Sequence, residues 1–140
     1  MPKIIQINKF ESEDWLQTTA NILDSSGVIG FPTDTFYGLG ANPFDQAAID
    51  KIFAIKSRDK NKPILVLIGE GEQLSQVVKM VSKEADTLIK AFWPGPLTLL
   101  FEAKSGLPRN LLGNGNTIGV RFQNSQVASQ LMRKTGNPIT

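Results

Sequence analysis

Short apolar runs and longer amphipathic stretches follow one another along this chain, and their periods predict an alternation of strands and helices. Residues 3–7 read as a first strand. Ser12 is placed to cap a helix running to about Leu23, with Trp15, Leu16, Ala20 and Leu23 at near-helical spacing and Gly27 as a stop. The apolar run 28–31 lies between Gly27 and Pro32, as a buried strand does. Asp45 is a candidate N-cap for a helix through about Ile55, in which Ile49, Ile52 and Phe53 share a face. Residues 64–68 (ILVLI) are apolar without alternation, the pattern of a strand covered on both faces.

The second half continues the alternation. Residues 73–78 and 82–92 predict two helices, the first presenting Leu74, Val77 and Val78, the second Ala85, Leu88 and Ile89. Trp93-Pro94-Gly95-Pro96 stops the helix, because proline has no amide proton and cannot continue the pattern. A strand is expected over 97–101, a Gly- and Pro-containing loop over 104–116 and another strand over 117–122. Ser125 caps a last helix through about Lys134, closed by Gly136. The fold class is therefore α/β (α+β), with helices packed on a central twisted sheet in one domain. Residues 137–140 open what reads as another strand, so the chain is expected to be cut at its C-terminal side.

Composition changes the picture mainly by exclusion. The 140 residues are 41% hydrophobic, enough for a core, and Lys+Arg exceeds Asp+Glu by only 15 to 13. That balance is not a nucleic-acid coat. There is no Cys and no His, which removes thiol nucleophiles, disulfides, histidine bases, Ser-His-Asp triads and Cys/His zinc sites. No apolar run approaches membrane-spanning length and the N-terminus has no apolar leader core, so a soluble cytoplasmic chain is expected.

The chemistry that remains lies in Lys, Arg, Thr, Ser, Asp and backbone groups. Lys56, Arg58, Lys60 and Lys62 recur at every second position, so an extended segment would project all four the same way. Such a stack repels itself unless an anion lies within it, and phosphate suits these donors; a solvated loop relieved by Asp59 is the alternative. The turn Pro32-Thr33-Asp34-Thr35 follows a buried strand, where open α/β sheets place ligand loops. Its hydroxyls and carboxylate could orient an amino acid or nucleotide, or merely close an Asx-type turn. Gly38-Leu39-Gly40 does not extend to a dinucleotide fingerprint, since Pro43 occupies the third glycine position. Thr117 and Arg121 share a strand face, and Arg121 requires an anionic partner: a substrate carboxylate, or a structural Asp or Glu.

Four ordered motifs, FPTDTFYGLGANPF, IFAIKSRDKNKP, FWPGPLTLL and NTIGVRF, then give the chain a family likeness. From about residue 27 onward it resembles the YrdC/TsaC family of threonylcarbamoyl-AMP synthases. The resemblance implies a YrdC-like twisted sheet with flanking helices around a positively charged cavity. It implies synthesis of L-threonylcarbamoyladenylate from L-threonine, bicarbonate and ATP with release of pyrophosphate, a nucleotidyl transfer that serves threonylcarbamoyl modification of tRNA adenosine by a downstream transferase.

By the same resemblance, Thr35 and Arg121 bind L-threonine, and Lys56, Arg58, Lys62 and Thr117 contact ATP. Thr33 and Asp34 complete a substrate loop. No side chain is implied as a catalytic nucleophile or a resident metal ligand; Mg²⁺ would travel with ATP, Asp34 being a candidate to touch it. The chain departs from the pattern at Leu67 and at Asn124 or Ser125, where some members carry His, and it lacks the later Ser-x-Asn motif. Two other readings stand beside the synthase: a module binding tRNA or double-stranded RNA, and an inactive remnant of the enzyme.

Overall fold

The computed structural model describes residues 2–7 and 14–140, and Ser12, the expected cap of the first helix, lies outside them. Helix α1 (Asp14–Asp24) leads into β1 (Ile29–Pro32), a tight turn and β2 (Tyr37–Gly40). Then come α2 (Gln46–Lys56), β3 (Val66–Ile68), α3 (Leu74–Val77), α4 (Lys83–Phe92), β4 (Thr98–Glu102), β5 (Thr117–Phe122) and α5 (Gln126–Thr135). Residues 3–7 form no strand, a correction to the sequence expectation. Ile4 is 87% exposed there, and β propensity without a partner strand does not make a ladder.

The mixed sheet-and-helix architecture is the expected one, its strands divided between two small sheets. β1 and β2 form an antiparallel hairpin, while β3, β5 and β4 form a second sheet in that order, β3 parallel and β4 antiparallel to β5. The two are sewn together by residues 139–140. Ile139 exchanges backbone hydrogen bonds with Leu67 (2.7 and 3.0 Å). The Thr140 amide donates to the Ala41 carbonyl at 3.1 Å, and Thr140 Oγ1 accepts from the Ala41 amide at 3.0 Å.

The helices form where side chains close their ends. Asp45 accepts from the amides of Ala47 and Ala48 at the start of α2. Ser82 and Ser125 do the same for α4 and α5, and Gly136 stands at the C-cap of α5. The core follows the apolar periods: Ile49 and Phe53 of α2 pack with Val66, Ile68, Phe101, Ile118 and Val120 of the larger sheet. Leu131 and Met132 of α5 pack with Leu23, Phe31 and Ile139 on the hairpin side. The Trp93-to-Pro96 corner is structural: the Trp93–Pro94 peptide is cis, and Trp93 Nε1 donates to the Leu97 carbonyl at 2.7 Å. The rejected dinucleotide glycines also have a packing reason, since a Cβ on Gly40 would come within 2.7 Å of the Phe31 ring.

Candidate functional site

A cavity of about 310 Å³ opens where the two sheets meet. The β1–β2 turn supplies Thr33, Asp34 and Thr35; the end of α2 and the loop after it supply Lys56 and Arg58; β3 and β5 supply Leu67 and Arg121. Six of the eight binding residues expected from sequence, all of these but Leu67, therefore share one cavity. Lys62 and Thr117 do not line it. Thr117 lies on the same face of β5 as Arg121 but is exposed, two pleats away.

Local hydrogen bonds decide where the turn's groups point. Thr33, not Asp34, closes the turn: its amide donates to the Phe36 carbonyl at 3.3 Å, its hydroxyl pairs with the same carbonyl, and it accepts from the Thr35 amide at 3.2 Å. Asp34 is thereby released to reach across to β5. Both its carboxylate oxygens accept from Arg121 Nη2, at 2.8 and 2.7 Å, and the two side chains are only 16% and 18% exposed. This identifies an internal aspartate as an anionic partner of Arg121. The contact uses one nitrogen of the guanidinium, and Arg121 Nε is buried with no hydrogen-bond partner. A buried unpaired donor costs about 1–3 kcal/mol, so its presence in a cavity wall is informative.

The basic loop is not the extended stack that its spacing suggested. Lys56 is the last residue of α2, and Ser57 turns the chain left-handed at its C-cap. Asp59 then forms a turn, its side chain accepting from the Asn61 amide at 2.9 Å. Consequently the four cations diverge. Arg58 curls back to the Pro63 carbonyl at 3.0 Å, and Lys60 reaches Asp50 at 3.4 Å. Asp50 also accepts from Asn110 at 2.8 Å, tying the loop to α2 and to the 108–115 loop together. Lys56 faces the cavity without a partner among the described residues. The cavity wall thus carries three cations, Lys56, Arg58 and Arg121, against the single carboxylate of Asp34.

The site contains residues that the sequence reading missed. Gln123, one residue past β5, is 2% exposed, lines the cavity and has its Nε2 buried without a partner. Its position two residues after Arg121 was the available signal, because alternate residues of a strand share a face. Thr140 also lines the cavity, held there by Ala41. Among the described residues no group of three or more His, Cys, Asp or Glu side chains gathers to hold a metal.

Comparison with known proteins fits this geometry. The Sua5/YciO/YrdC family model, described as "Telomere recombination", matches residues 21–140. The chain belongs to the Sua5/YciO/YrdC family. One family relative, the threonylcarbamoyl-AMP synthase of Pyrococcus abyssi, is 37% identical over 128 residues, covering 91% of this chain and 38% of that protein. The synthase of Methylococcus capsulatus is 32% identical over 124 residues, covering 89% of this chain and 67% of the relative. A crystal structure of P. abyssi Sua5 complexed with L-threonine superposes with a TM-score of 0.87 at 36% identity, over 91% of this chain and 38% of that one. The chain spans less than half the length of the P. abyssi relative. The mixed α/β fold expected of the family is the one observed.

Proposed function

We propose that this cavity binds L-threonine, bicarbonate and ATP and forms L-threonylcarbamoyladenylate, releasing pyrophosphate. The observation that carries the reading is the convergence of Lys56, Arg58 and Arg121 with the Thr33–Thr35 turn on one cavity, in a family whose relatives are named for this synthesis. A threonine carboxylate suits Arg121, with Thr35 as a hydroxyl partner for the same substrate. Lys56 and Arg58 suit ATP phosphates. Lys62 and Thr117, outside the cavity wall, would meet the nucleotide where it extends past the mouth.

The chemistry needs positioning and charge neutralisation more than a covalent nucleophile. Threonine's ammonium loses a proton, and the free amine takes the carbon of bicarbonate with loss of water to give a carbamate. A carbamate oxygen attacks the α-phosphorus of ATP, and the bond from that phosphorus to the bridging oxygen of pyrophosphate breaks. Lys56 and Arg58 would balance the charge that develops on the leaving pyrophosphate. Mg²⁺ carried in by ATP would supply further neutralisation of the phosphates. A tRNA threonylcarbamoyl transferase would consume the product, in the cytoplasm. No described helix is long and apolar enough to cross a membrane.

The test is pyrophosphate release that requires threonine and bicarbonate together. Lys56→Ala and Arg58→Ala are each expected to reduce it by at least about a hundredfold, the scale of losing one transition-state donor, with the fold intact. Unchanged turnover in both variants overturns the assignment of the basic loop. A second reading, a module for a tRNA or double-stranded RNA backbone, is favoured by the exposed positions of Arg58, Lys60 and Lys62 in one loop. It predicts RNA affinity that falls steeply with salt, without nucleotide turnover.

A further inference from the structure

We propose that Gln123 is a second donor to the substrate carboxylate and, with Arg121 Nε, forms a two-point cradle for it. The inference deepens the proposed function and rests on it only for the identity of the carboxylate. Two residues of the cavity wall, Arg121 and Gln123, each carry a buried nitrogen with no hydrogen-bond partner, Nε and Nε2 respectively. They belong to alternate residues, and the Gln123 amide donates to the Ile68 carbonyl at 3.0 Å. The β3–β5 pairing therefore runs one residue past β5 and keeps both side chains on one face.

The donors are complementary to a carboxylate. Asp34 occupies Arg121 Nη2 alone, so the guanidinium is fixed from one side while Nε remains for a second oxygen anion. Gln123 offers a neutral amide beside it. Its terminal torsion is broad and nearly two-fold, so the NH₂ group can turn to a ligand without backbone movement. A carboxylate oxygen on each donor satisfies both orphans at once and brings a negative charge to the guanidinium, which an ammonium group, having no acceptor, cannot do and a neutral hydroxyl does without charge assistance. In this arrangement Asp34 is a positioning residue that acts through Arg121, and Gln123 is a direct contact.

Two measurements on the 140-residue chain test the cradle. In ¹⁵N-resolved spectra, the Arg121 Nε–H signal is identified by its loss in Arg121→Lys and the Gln123 side-chain amide by its loss in Gln123→Leu. Both signals are expected to shift when L-threonine is added, and also when acetate is added as a bare carboxylate probe. Calorimetry should show threonine affinity about tenfold weaker in Gln123→Leu, the value of one hydrogen bond to a charged group, and lost in Gln123→Glu. Threoninol, which lacks the carboxylate, should bind wild type and Gln123→Leu equally.

Movement of the Arg121 signal alone, or of neither signal with either ligand, overturns the cradle. So does unchanged threonine affinity in Gln123→Leu. If acetate moves both signals while threonine moves neither, the cradle stands and the assignment of threonine as substrate falls.

Discussion

Asp34 and Arg121 show how much a single ion pair depends on its surroundings. Their side chains are less than a fifth exposed, so removing one leaves the other as a poorly solvated charge. Asp34→Ala is expected to destabilise the fold by about 1–3 kcal/mol in urea unfolding. Glu102→Ala, which breaks the open Lys79–Glu102 pair, should cost less than about 1 kcal/mol. Equal losses in the two variants would mean that the Asp34 contact is as solvated as a surface pair. At this scale the sequence was half legible: an Arg among Ile118, Val120 and Phe122 demanded an anion, but a partner 87 residues away is set by tertiary approach and not by spacing.

At the scale of elements, two local devices hold the site's edges. Asp45 caps α2, and its carboxyl is held below the usual carboxylate value, chiefly by the hydrogen bond from Ser26 and then by the Ala48 and Ala47 amides. A folded-state pKa lowered in this way contributes stability that is fully present above the unfolded value, about 4, and is lost as pH falls through the lowered one. Asp45→Asn keeps an acceptor but no charge, so its stability should fall less than wild type's between about pH 4 and pH 2. Gly113 is the second device. Its φ is +63°, and a Cβ there would lie 2.5 Å from the Asn61 carbonyl oxygen, beneath the basic loop. Gly113→Ala is expected to displace that loop and weaken the ATP binding proposed above while the larger sheet stays folded, a separation readable by titration beside circular dichroism.

Caps and core faces were legible because they are local. Asp45, Ser125 and the Ile49, Ile52, Phe53 face stand where the sequence placed them. The basic loop stayed open between an extended stack and a solvated loop relieved by Asp59, because its two-residue spacing aligns the cations only on an extended backbone. Asp59 and the left-handed Ser57 turn it instead, and Asp50 with Asn110 fixes where it goes.

For the whole molecule, the cavity lies across the junction of the two sheets, with the hairpin on one side and β3 and β5 on the other. The junction is made by Ile139 and Thr140, and Thr140→Val removes the hydroxyl acceptor of the Ala41 amide while conserving volume. That variant should lose about 1–2 kcal/mol, with faster amide exchange at Ala41 than in the middle of β5. Ile139 and Thr140 are thus a hydrogen-bonded pin between two leaves that the packing of Phe31 with Leu67 and the Asp34–Arg121 pair also hold, and the width of the cleft is set by how far the leaves stand apart. A molecule gripped by the hairpin turn and by Arg121 at once works as a brace across that pin. Its arrival should quiet the amides of Ala41, Leu67 and Ile139 at that pin.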